Sequence, residues 1–191
     1  MSADGRIIGR LAVADPIRPT AAAALASSLR GADVKRAPRI LLRSSWQSVN
    51  IGDIGHTPGT LRVIEEHLPE LKVIAWAMKV DERILAMLQR RFPKVEFLQG
   101  KLDGKSEKDL KLQDAIKNCD LYIRNSGMGQ DLSYMKFCRQ HARSYGLFGQ
   151  SFFPTMVQGD GAAERIELLN AAAFIYTRET KTLSILEGAG V

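Results

Sequence analysis

Asp53 and His56 stand three residues apart in the segment Ser44–Gly59 (SSWQSVNIGDIGHTPG). A carboxylate and an imidazole at that spacing can act as a general base and the group that orients it. Each also has a plain reading, Asp53 as the cap of a turn and His56 as a polar loop residue. Asn50-Ile51-Gly52-Asp53 predicts a tight turn, with Gly52 admitting positive φ, that leads into a helix whose free amides suit an anion. Farther along, Arg124–Asp131 (RNSGMGQD) offers Arg124 as a cation for carboxylate or phosphate and Ser126-Gly127 as a short backbone cradle. His67 and His141 sit where helices should end and read as structural, each favouring the helix dipole.

Three motif look-alikes are set aside. Gln99–Ser106 (QGKLDGKS) imitates a phosphate-binding P-loop, but Gln99 holds the first glycine position. Gly149–Phe153 (GQSFF) imitates a nucleophile elbow, but Phe153 stands where the last glycine must be and Pro154 follows. No G-x-G-x-x-G follows the first strand, which counts against a dinucleotide. No cofactor and no metal site is expected.

These residues need elements to hold them, and the apolar pattern supplies them. Strands are expected at Ile40–Arg43, Leu71–Trp76, Val95–Leu98, Cys119–Ile123, Tyr145–Gly149 and Phe174–Thr177. Helices are expected between them at Thr57–His67, Asp81–Arg91, Ser106–Asn118, Asp131–His141 and Gly161–Asn170, with a last one at Thr180–Glu187. Short, continuous apolar strands alternating with helices predict βαβ units and a parallel sheet buried on both faces, hence a doubly wound, Rossmann-like α/β fold. Thr57-Pro58 reads as an N-cap with proline at the first helical position, and Ser106 with Asp109 as a capping box.

In such a sheet, ligands bind at the carboxyl ends of the strands. The loops entering strands here are plain, whereas the loops leaving them collect glycines, amides, hydroxyls and charges. Candidate substrate contacts are therefore Arg43, Gln47, Asn50, Gly52 and Thr57 at the first exit, and Arg124, Ser126, Gly127 and Gln130 at the fourth. Gln150 and Ser151 follow at the fifth and Arg178 at the sixth.

Composition bounds the class. Hydrophobic residues make up 45% and charged residues 25%, ordinary for a globular domain. The net charge is +6, but residues 1–43 hold eight lysines and arginines against three aspartates. The rest is close to neutral, which argues against a broad nucleic-acid surface. No apolar run is long enough to span a membrane, and a cytoplasmic location is expected. The two cysteines, Cys119 and Cys138, lack metal-site spacing. Residues 1–37 read as a disordered leader or a degenerate export signal, and residues 38–191 as the domain.

Four of these segments resemble the polysaccharide pyruvyl transferase family. They are Leu41–Thr60 with its N-I-G-D, Arg124–Gln130 with its S-G loop, Tyr145–Phe153, and Phe174–Leu186, which looks like the family's strand followed by R-[ED]-x-x-S. The hydroxyl in the last motif position is either Thr182 or Ser184. The likeness spans residues 39–191. It implies one lobe of a two-lobed, GT-B-like architecture that moves pyruvyl from phosphoenolpyruvate to a sugar of a cell-surface polysaccharide.

Under that resemblance the chain is an N-terminal lobe cut short. Its expected partners are a sugar or polysaccharide acceptor, the phosphoenolpyruvate donor, and a C-terminal lobe carrying most donor-site residues. Asn50, Gly52, Asp53, Ser126, Gly127 and Arg178 fall on the acceptor side. A GT-B-like glycosyltransferase lobe and a non-catalytic carbohydrate- or anion-binding Rossmann module are the alternatives.

Overall fold

The computed structural model describes residues 2–3, 6–7, 29, 36–44, 51–77, 80–102, 107–126 and 133–191. Six strands make one parallel sheet: β1 (Arg39–Ser44), β2 (Lys72–Ala77), β3 (Glu96–Gln99), β4 (Leu121–Asn125), β5 (Ser144–Gln150) and β6 (Phe174–Thr177). Their order in space is β3-β2-β1-β4-β5-β6, and every neighbouring pair runs parallel. The helices are α1 (Ile51–His67), α2 (Glu82–Arg91), α3 (Glu107–Asn118), α4 (Ser133–Gln140), α5 (Ala162–Asn170) and α6 (Thr180–Gly188). The expected α/β, Rossmann-like fold is the one observed.

Alternation along the strands divides the core in two. Ile40, Leu42, Val73, Leu121 and Ile123 point to one face, where Leu61 and Ile64 of α1 and Leu88 of α2 cover them. Leu41, Trp76, Tyr122, Tyr145 and Leu147 point to the other, under residues of α3, α4, α5 and α6 such as Leu112, Met135, Leu168 and Leu186. The central strands are apolar on both sides because both sides are covered, and that makes their runs continuous in sequence.

Two local devices set the frame. Asp81 caps α2 by accepting from the amides of Arg83 and Ile84. At the opposite end of the sheet, Asp120 accepts two bonds from the Arg36 guanidinium, at 2.7 and 2.8 Å, and one from the Arg39 amide at 2.7 Å. Of the leader, Ser2–Ala3 and Arg6–Ile7 pair as two-residue antiparallel strands, and nearly all the remainder lies outside the described residues.

One expected boundary is corrected. The helix after β1 starts at Ile51, not Thr57, so Ile51, Gly52 and Asp53 are helical and form no turn, and Pro58 lies inside the helix. Thr57 is not an N-cap. It is fully buried, and its hydroxyl bonds to that of Ser44 at the end of β1. Gly52, Gly55 and Pro58 are poor local helix formers, so contacts with the sheet hold this segment where propensity does not. Of the expected capping box, Ser106 lies outside the described residues, and Asp109 is buried within α3, where it accepts from Gln113.

Candidate functional site

The strand order places β1 and β4 side by side, and their helices leave to opposite faces. This is the switch point at which open parallel sheets form a crevice beyond the strand ends. Polar side chains inside the protein concentrate there. Ser44, Thr57, Thr60, Arg124, Asn125, Ser126 and Gln150 are all buried.

The two faces of this edge differ in chemistry. On the α1 face, Ser44 and Asn125 are register partners. Asn125 Nδ2 donates to Thr60 Oγ1 at 2.7 Å and to the His56 carbonyl at 3.2 Å, tying β4 to α1. The contacts described on this side are made by hydroxyls, an amide and a backbone carbonyl.

The other face is cationic. Arg43 and Arg124 are partners across β1 and β4. The Arg43 guanidinium lies over the ring of Tyr134, 4.3 Å from its centroid, and 5.3 Å from that of Trp76. The two rings meet edge to face at 4.9 Å, and Trp76 Nε1 donates to the Gly100 carbonyl at 2.9 Å, so the platform is fixed. Tyr122 lies on this face, wholly buried. Burial pushes its hydroxyl well above the usual phenol range, and the charges of Arg43 and Arg124 pull against that.

Beyond β4 the chain turns at Ser126, a non-glycine residue with φ of 63°. Its amide donates to the Phe148 carbonyl at 3.0 Å, and its own carbonyl accepts from Gln150 Nε2. β5 bulges between Phe148 and Gln150, with Gly149 at φ of 66°, and this brings Gln150 over Ser126.

At the β5–β6 side, Glu179 accepts from Ser151 Oγ at 3.1 Å and from the Thr182 hydroxyl, and Thr182 Oγ1 accepts from the Phe152 amide at 3.1 Å. Thr182 is fully buried, while Ser184 is exposed and bonds within its helix to the Thr180 carbonyl. Thr182, and not Ser184, is the hydroxyl joined to Glu179.

The sequence candidates fall into three groups. Arg43, Thr57, Arg124, Ser126 and Gln150 meet at the switch-point edge, with His56 partly exposed beside them. Arg124 and Gln150 belong to strands and not to the loops expected for them, because β4 and β5 run farther than their apolar cores suggest. Ser151 and Arg178 flank Gln150 on the β5–β6 side of that edge. Arg178 is exposed, its amide donates to the Gln150 carbonyl at 3.0 Å, and its side chain makes no ion pair among the described residues. Gln47, Asn50, Gly127 and Gln130 lie outside the described residues, and of Asp53 only the helical backbone is described.

Asn125, Ser44 and Thr60 escaped the sequence reading. A polar residue closing an apolar strand, as in LYIRN and RILLRS, was the available signal. No group of three or more His, Cys, Asp or Glu gathers as for a metal ion among the described residues, and no described helix is long and apolar enough to cross a membrane.

No family model matches the sequence, and no curated protein matches it. Among solved structures the chain is similar to the glycosyltransferase GlyE of Streptococcus pneumoniae TIGR4, at 16% identity and a TM-score of 0.42 over 81% of this chain and 33% of that one. It is also similar to shikimate dehydrogenase of Mycobacterium tuberculosis, at 11% identity and a TM-score of 0.40 over 88% of this chain and 53% of that one. The chain thus spans about a third and about half of the lengths of these two proteins.

Proposed function

We propose that this chain is the acceptor-binding lobe of a pyruvyl transferase-type enzyme, acting in the cytoplasm on a sugar of a cell-surface polysaccharide. One observation carries the reading. Two of the four segments that resemble the family, around N-I-G-D and R-N-S-G, leave the two strands that flank the switch point. A Rossmann sheet uses that location for its ligand. The buried, free Cys119 and Cys138 suit a reducing compartment.

The chemistry assigned to such an enzyme makes definite demands. Two sugar hydroxyls add to the central carbon of phosphoenolpyruvate, and phosphate leaves from it. One hydroxyl proton ends on the methylene carbon, turning it into a methyl group, and the other departs with the phosphate. The hydroxyls and amide on the α1 face supply partners for the sugar. Arg43 and Arg124 supply cationic forks for a carboxylate or phosphate. Asp53 and His56, one helical turn apart on α1, are the proton-handling candidates. Donor contacts beyond these would come from a second lobe.

A glycosyltransferase lobe is the second reading, since the same two guanidinia suit the phosphates of a nucleotide sugar. The test is product analysis. The protein, with any coding sequence that follows Val191, is incubated with phosphoenolpyruvate and a saccharide acceptor. Acceptor-dependent release of phosphate together with a pyruvyl ketal on the sugar is expected. Transfer from a nucleotide sugar, with no turnover of phosphoenolpyruvate, would replace the first reading with the second.

A further inference from the structure

Asn125 and Gln150 are anchored by their side-chain nitrogens. Asn125 Nδ2 faces the His56 carbonyl, and Gln150 Nε2 faces the Ser126 carbonyl. A backbone carbonyl can only accept, so the orientation of each amide is determined by its surroundings. The other end of each amide is a different matter. Asn125 Oδ1 and Gln150 Oε1 are buried and accept from no group among the described residues. The residues are 1% and 0% exposed.

An unmet buried acceptor costs about 1–3 kcal/mol, and such atoms are rare enough in folded proteins to need a reason. Here two lie at the same edge of one sheet. Ser126 follows Asn125 directly and holds Gln150 by its carbonyl, while a Cβ on Gly149 would stand 3.8 Å from Asn125 Oδ1. His56, Gly149 and Ser151 around them are partly exposed, so the pair lies one layer below the surface.

The chemistry of the ligand follows by elimination. Carbonyl oxygens repel an anion. No group of three or more His, Cys, Asp or Glu gathers among the described residues to hold a metal cation there. A neutral donor of hydrogen bonds remains, and hydroxyl groups fit. We infer that Asn125 Oδ1 and Gln150 Oε1 form an acceptor pair that receives two hydroxyls of a single neutral sugar. This inference rests on the reading of the chain as an acceptor-binding lobe and sharpens it, because a ketal needs two hydroxyls of one sugar held together.

Side-chain amide resonances of the nitrogen-15-labelled 191-residue protein provide the readout. D-glucose, D-galactose and D-mannose are titrated in turn, followed by their monodeoxy counterparts. At least one sugar should shift the amide signals of both Asn125 and Gln150 saturably. Removing either engaged hydroxyl from that sugar should weaken binding about tenfold or more. If no sugar moves both amides, or if every deoxy sugar binds as tightly as its parent, the acceptor pair is wrong. A sugar bound here while phosphoenolpyruvate yields no ketal would retain the pair and remove the transfer reading. Ketal formation with both amides unmoved would do the reverse.

Discussion

Arg43 of β1 and Arg124 of β4 are register partners, one guanidinium on each side of the switch point and both on the sheet face that carries Trp76 and Tyr122. Both residues have partners within the fold, and two guanidinia held side by side still form a fork that an added anion can join. Inorganic phosphate should therefore raise the melting temperature of the protein. At about 100 times its dissociation constant, phosphate would add about 2.7 kcal/mol. Arg43→Met and Arg124→Met should each abolish the gain. A wild-type melt indifferent to phosphate would count against an anion at this pair.

The β5–β6 contact should depend on the absence of a side chain at Gly146. A Cβ there would lie 2.3 Å from the ring of Phe174, its register partner. Gly146→Ala should destabilise the fold by about 1–3 kcal/mol, the usual cost of overpacking a tight core. Adding Phe174→Leu should recover part of that loss, and denaturant titration of the single and double variants measures the coupling.

Thr182 predicts an asymmetry between two neighbouring hydroxyls. Thr182→Val keeps the shape but strands the buried Phe152 amide and loosens Glu179, at a cost of about 1–3 kcal/mol. Thr182→Ser should retain most of the stability. Ser184→Ala, at an exposed position, should change it by less than about 0.5 kcal/mol. Equal effects at both sites would remove Thr182 from its place beside Glu179.

Alkaline pH should unfold the protein through its buried acids. Burial pushes the Cys119 thiol from 9.0 up to about 12, against a smaller pull from the charge of Arg143. Below pH 9.0 the thiol is protonated in both folded and unfolded chains and has no effect on the balance. Above that the unfolded chain loses the proton first, so stability falls by about 1.4 kcal/mol per pH unit for this group until the folded thiol also ionises. Cys138 and Tyr122, raised by burial too, add to the decline. Denaturation midpoints between pH 8 and 11 should fall more gently in Cys119→Ala than in the wild type.

The strands were legible because Ile40–Leu42 and Leu121–Ile123 are buried on both faces, and two-sided burial writes an unbroken apolar run. The start of α1 was not. Gly52, Gly55 and Pro58 argue locally against a helix, and what overrides them is distant, namely Ser44 bonding Thr57 and Asn125 bonding the His56 carbonyl and Thr60. The same distance hid Asn125 as a site residue. Its neighbours in sequence show the end of a strand, whereas its meaning lies in partners on α1. Arg43 and Arg124 were recognisable singly, but their pairing depends on strand order, which alternation alone does not specify.

The position of β1 also bears on how the chain is made. The first strand of the sheet in sequence is one of its two central ones, so it pairs with β2 soon after emerging but must wait for β4 to cover its other side. Such long-range parallel pairing folds slowly. Until Leu121–Asn125 leave the ribosome, one edge of Ile40-Leu41-Leu42 stands open, apolar and unpaired, which is the usual seed of aggregation in a nascent chain. Nascent chains halted before β4 should need chaperones, and those extended past β5 should not.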